Sequence, residues 1–213
     1  MKSLAWLFLW MIATLTATGL LCSSRSITAD AKARGGSASA ATDPRRDMVN
    51  ALAATGPHES LGGDAKAFDQ LVGTWDCDYS FIADDGTVTR AKGELLFGWI
   101  IDGHAVQDIW ITYPQKKGEE REIGTSVRFF DPKSGMWRVM FALPSLNILT
   151  TVEGKAQGDR IVLEGTSSGG AIRRWSFNDI TPNSFVWRNQ KSTDGGKTWK
   201  LREEHHMTRR MAR

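Results

Sequence analysis

The chain is poor in the residues that build covalent or metal frameworks. It has two cysteines and four histidines in 213 residues. Cys22 falls in the N-terminal apolar stretch, which leaves Cys77 alone in the remainder. Neither an internal disulfide nor a cysteine-built zinc cluster is then expected. An excess of one charge is also missing: 27 Lys and Arg stand against 24 Asp and Glu, interleaved along the chain. No basic stripe emerges, which argues against a nucleic-acid partner. There is no glycine-rich phosphate loop, no nucleophile elbow and no metal-spaced His/Glu motif, so no metal and no cofactor are expected from motifs.

The one long apolar run is "LAWLFLWMIATLTATGLL", residues 4–21. Lys2 precedes it and small polar residues follow, the layout of a secretory signal. Residues 1–24 are read as that signal, with Ala29-Asp30-Ala31 allowing cleavage as late as 31, and the product as periplasmic or secreted. Its 18 residues are also near the length of a bilayer span. An uncleaved membrane anchor is the alternative, and the only membrane contact expected. Residues 25–63 read as a flexible leader with a short helix. Asp43 caps it, Pro44 opens it, Met48, Val49 and Leu52 follow at helical spacing, and Gly56-Pro57 ends it. A second helical turn over 64–71 would bury Phe68, Leu71 and Val72.

From residue 72 the apolar period becomes two. Ten strands are expected, roughly at 72–82, 87–100, 104–113, 121–130, 136–143, 147–155, 160–167, 171–178, 184–191 and 198–208. Short Gly/Asp/Asn/Pro turns separate them. The fold class is therefore all-β over 64–213: an antiparallel up-and-down barrel of about ten strands, with one or two short N-terminal helices. Closure removes the edges that a long meander would expose; a two-sheet sandwich is the other arrangement. "STDGGKTW" resembles the Asp-box of sialidase propellers, but one copy predicts a hairpin only.

Seven of the nine tryptophans lie in the barrel region. Together with other aromatics in apolar phases they form a candidate ligand-binding set: Trp75, Tyr79, Phe97, Trp99, Trp110, Trp137, Phe141 and Trp187. Large aromatics line apolar cavities as readily as they fill cores. Gly93, among large neighbours, predicts a bend or a close backbone approach.

"FDQLVGTWDCDY", "WIIDGHAVQDIW", "SVRFFDPKSGMWRV", "WSFNDITPNSFVWRNQKSTDGGKTW" and the terminal "MTRR" resemble a DUF1579-like bacterial family of unknown function with a calycin (lipocalin-like) barrel. The resemblance spans residues 66–210. It implies the fold and carries no assigned activity. Gly73-Thr74-Trp75 is similar to the lipocalin Gly-x-Trp, where an arginine from the last strand lies over the tryptophan; Arg209 or Arg210 would be that arginine. In another calycin group, the nitrobindins, a histidine near the end of the last strand binds haem, and His205 or His206 stands at a comparable place. Asp76 and Cys77 depart from that group's Gly-x-Trp-x-Gly pattern, where the later glycine lets haem approach.

Neighbouring histidines on a strand point to opposite faces, so His205 and His206 cannot ligate one metal together. His205 shares the apolar phase with Glu203, and His206 belongs to the charged one. On the third strand His104 and Asp108 share a phase, but both phases there contain apolar residues. Should His104 and Asp108 meet Glu203 and His205 inside the barrel, the four would form an acid–base constellation. The leading expectation is a barrel that binds a small hydrophobic molecule. The alternatives are a cofactor-free isomerase, cyclase or hydratase, a haem barrel, and a structural or interaction barrel with a filled core.

Overall fold

A computed structural model describes residues 43–63, 66–167 and 169–211. The expected signal segment and the leader as far as residue 42 lie outside the described residues. Helix α1 (Pro44–Leu52) starts where the capping pattern places it, with the Asp43 carboxylate accepting the Arg45 N–H at 3.1 Å. A two-residue strand, β1 (Ala53–Ala54), follows and pairs with residues 99–100. The expected second helix is shorter than the 64–71 span. It is a single 3₁₀ turn, Asp69–Leu71, in which Leu71 N–H reaches Phe68 C=O at 3.0 Å. A three-residue period puts Phe68 and Leu71 on one side, and both are fully buried.

Ten strands then run in sequence: β2 (Gly73–Ile82), β3 (Val88–Ile100), β4 (Ala105–Thr112), β5 (Glu122–Asp131), β6 (Met136–Leu143), β7 (Ile148–Gln157), β8 (Arg160–Thr166), β9 (Ile172–Asn178), β10 (Ser184–Ser192) and β11 (Lys200–Arg209). Each pairs antiparallel with the next, and β11 pairs back onto β2 from Glu203↔Phe81 to Arg209↔Trp75. The sheet is thus a closed up-and-down barrel rather than a sandwich. β1 occupies the edge of β3 just beyond Phe97, where the β2 ladder ends at Gly73.

Alternation sets the inner wall. On β2 Trp75, Cys77 and Tyr79 are buried between exposed Asp76 and Asp78. Of the two roles open to Gly93, the structure shows the close approach: a Cβ there would strike the Ile111 carbonyl oxygen and the Tyr79 ring. The Tyr79 hydroxyl uses the room to donate to the Glu94 and Ile111 carbonyls, both at 3.2 Å. Burial pushes the Cys77 thiol up to about 12, so it is a small packed apolar group and not a nucleophile.

One end is plugged. Phe68 stands edge-on to Trp137 at 4.9 Å and to Phe177 at 5.5 Å. Trp75 Nε1 donates to Leu71 C=O at 2.8 Å, and Trp99 Nε1 donates to the Asp69 carboxylate at 2.8 Å. Arg209, not Arg210, lies over Trp75, with its guanidinium carbon 4.0 Å from the ring centroid. Gly73, at φ 135°, leaves the space that this guanidinium occupies. Arg210 turns outward to Asp76 and Glu94.

Candidate ligand-binding cavity

Toward the other end the inner wall encloses a cavity of about 340 Å³, near the low end of the roughly 300–1,000 Å³ of small-molecule sites. Its walls are aromatic: Phe81, Phe97, Trp110, Phe141, Trp175 and Trp187. Phe97, Trp110, Phe141 and Trp187 of the sequence-derived set therefore face it. Trp75, Tyr79, Trp99 and Trp137 do not line it; they are buried in the core and the plug. Those four belong to the packing that supports the cavity.

Strand pairing brings Glu203, His205 and Asn189 together. Asn189 is opposite Glu203 and Trp187 opposite His205 on the β10–β11 ladder. Asn189 Nδ2 donates to Glu203 Oε1 at 2.7 Å, and Glu203 Oε2 lies 3.5 Å from His205 Nε2. His205 is 2% exposed, stacked on Trp187 at 4.8 Å and met edge-on by Tyr79 at 4.7 Å and Phe81 at 5.3 Å. Burial in this apolar cage pulls its pKa down to about 3, so the ring is neutral at neutral pH. Burial also raises the Glu203 carboxyl above its ordinary range, opposed by the Asn189 hydrogen bond and the charges of Arg173 and Arg202. The contact is then one between a neutral imidazole and a carboxyl drawn toward its protonated form. His206 points outward, as its phase predicts, onto Glu204 at 3.1 Å.

On β4 the phase that faces in is Val106, Asp108, Trp110 and Thr112. Asp108 pairs with buried Arg128, whose guanidinium carbon sits 4.8 Å from the centroids of both Phe68 and Phe97. Ser126 N–H donates to the same carboxylate at 3.1 Å. His104 does not join this group. It precedes β4 in the turn, is exposed, and stacks on His58 at 4.1 Å. The four-residue constellation is thus corrected: His104 is outside, Asp108 is held by Arg128, and Glu203 with His205 form their own pair.

Asn189, Arg128, Trp175 and Arg173 were not singled out from the sequence. An arginine or asparagine in a strand reads as an outward residue. The available signal was phase, since Arg173 alternates with Trp175 and Phe177, and Asn189 with Phe185 and Trp187. Arg128 Nε and Nη1, Trp175 Nε1, Asn189 Oδ1 and His205 Nε2 are buried polar atoms without a hydrogen-bond partner among the described residues.

As the side chains stand, the residues do not fit a haem on His205. Glu203 Oε2 stands 3.5 Å from Nε2, and Trp187 stacks on a face of the ring.

No protein-family model matches the chain, and no curated protein matches it. Solved structures do. The chain is similar in fold to Rv2717c from M. tuberculosis, with a TM-score of 0.51 and 16% identity over 71% of this chain and 100% of that one. It is also similar to the S-type phycobiliprotein lyase CPES from Guillardia theta, with a TM-score of 0.51 and 13% identity over 68% of this chain and 92% of that one. Likeness at these identities concerns the fold: a calycin-like barrel.

Proposed function

We propose that the barrel is an exported carrier that binds one small, largely apolar aromatic molecule. The observation that carries this reading is the cavity wall, a ring of indoles and phenyls bordered by Asn189, Glu203 and His205. Stacking on Trp187, Trp175 and Phe141 supplies affinity, and the unpartnered buried polar atoms supply orientation. That one barrel of this fold is a phycobiliprotein lyase supports a cavity with a ligand over one that merely fills space. Export rests on the signal-like residues 1–24, and kinship with the DUF1579-like group on the blocks quoted above.

Titration of the mature protein with neutral aromatic and polyene compounds, such as 2-naphthylmethanol, should give saturable quenching of tryptophan fluorescence. Trp187→Phe should remove most of that response. An unchanged spectrum across the whole set would refute the reading. A Soret band on haem addition would instead favour the haem barrel. Mass analysis of protein recovered from its native host should show loss of about the first 24–31 residues; an intact N-terminus would favour the anchor.

A second reading has its own observation, the 3.5 Å Glu203–His205 contact inside the cavity. A carboxyl raised by burial beside a neutral imidazole can exchange a proton with an apolar substrate without a cofactor. Glu203→Gln should then abolish turnover of such a substrate and leave its binding within about twofold. Loss of binding alone returns the role to that of a carrier.

A further inference from the structure

We propose that the ligand is an aromatic carboxylate whose acid group docks on Arg173 at the open rim of the cavity. This rests on the binding reading above and narrows it to a chemical class.

Arg173 lies on the inward phase of β9, two residues before Trp175, and lines the cavity. Its Nη1 donates to Thr150 Oγ1 at 2.9 Å, and among the described residues it forms no ion pair. Of the two arginines that line the cavity, Arg128 is ion-paired to Asp108 and keeps only its Nε and Nη1 without a partner among the described residues, whereas Arg173 has no carboxylate within ion-pair distance. A guanidinium has five N–H donors in a planar fork that suits a carboxylate. One neutral acceptor leaves most of them unused.

The surroundings hold that side chain across the rim. Gly165 of β8 pairs directly with Arg173, and a Cβ at Gly165 would strike the Thr151 carbonyl oxygen. The β7–β8 ladder stops at Glu153↔Glu164, so no side chain from β8 stands between Arg173 and Thr150 of β7. Thr150 pairs with Phe141, and Phe141 meets Trp175 edge-on at 6.0 Å. The unpaired cation is therefore beside the aromatic wall that would hold a ring.

Three carboxyl groups also line the cavity and would favour a cation if they were free. Asp108 is ion-paired with Arg128, and Glu203 is held by Asn189 in a site where burial outweighs the charges of Arg173 and Arg202 and disfavours its ionised form. Glu122 remains, on the β5 rim. It repels an anion from that wall and leaves the β7–β9 side, where Arg173 stands, as the docking place.

Calorimetric titration of the mature protein with 2-naphthoate and with neutral 2-naphthamide separates charge from shape. The acid should bind about tenfold or more tightly than the amide, the scale of one charge-assisted contact. Arg173→Gln should remove that preference and leave amide affinity within about twofold, whereas Arg173→Lys should keep part of it. Equal binding of acid and amide by the unaltered protein would overturn the acid class while leaving the cavity reading intact. Equal loss of both probes in R173Q would mark Arg173 as structural and overturn the docking role. If neither probe nor 2-naphthylmethanol binds, the cavity reading fails and takes this inference with it.

Discussion

The two halves of the barrel use the same residues to opposite ends. In the plugged half the polar atoms of large side chains are matched: Trp75 to Leu71, Trp99 to Asp69, and Arg209 to the Val72 and Gln70 carbonyls at 2.7 and 2.9 Å. Around the cavity Trp175, Asn189 and His205, with Arg128 at its floor against Phe68, keep buried polar atoms without a partner among the described residues. Satisfied aromatics specify one packing and stabilise it. Unsatisfied ones around a cavity weaken the fold locally and leave contacts for a ligand to complete. The indole N–H groups of Trp75 and Trp99 are matched and that of Trp175 is not, among the described residues.

The sharpest way to break that contrast is to truncate one tryptophan in each half. Trp75→Ala should cost about 3–5 kcal/mol in urea unfolding, since the site is sealed and cannot collapse. Trp187→Ala should cost less, because its neighbours already border free volume, and should abolish the fluorescence response to ligand. Equal costs would erase the distinction.

Asp69→Ala is the next test. It leaves the Trp99 N–H buried without its acceptor and should cost about 1–3 kcal/mol, with ligand affinity unchanged.

A further test concerns pH. His205 takes up its proton only near pH 3 in the fold, against about 6.5 in the unfolded chain. The unfolded state binds more protons between those values, so stability is fully present above about pH 6.5 and falls as pH drops toward 3. Glu203, raised by burial, acts in the opposite sense: its contribution is present below its ordinary pKa of about 4.5 and is lost as pH rises through its folded value. His205→Gln should flatten the decline in melting temperature between about pH 6.5 and 4, and an unchanged slope would place the acid sensitivity elsewhere.

Much of the plugged half was legible beforehand. The buried phase of Trp75 follows from a period of two, and the lipocalin resemblance of Gly73-Thr74-Trp75 implied an arginine from residues 209–210 over its ring. The opposed directions of His205 and His206 follow from the same period. The open half was harder for a physical reason. Its distinguishing residues are polar side chains on inward phases, and local sequence gives an arginine in a strand no reason to face in. Arg128 is tolerated inside because Asp108, Phe68 and Phe97 surround it, and these come from β4, the plug and β3. The phase of β4 itself was ambiguous because Ile109 and Ile111 on its other face are also apolar. His104 failed for a simpler cause: β4 begins one residue after it, so the strand's alternation never applies to it.

Filling the cavity tests the central claim most directly. Ser126 is buried, lines the cavity and is positioned by its backbone rather than by its hydroxyl. Ser126→Phe would place a ring where a ligand ring is held to sit. S126F should unfold within about 1.5 kcal/mol of the unaltered protein, with overpacking offset by the void it occupies. It should also no longer bind 2-naphthylmethanol. A folded S126F that binds the probe with unchanged affinity would contradict the account, because the ligand would then occupy some other place.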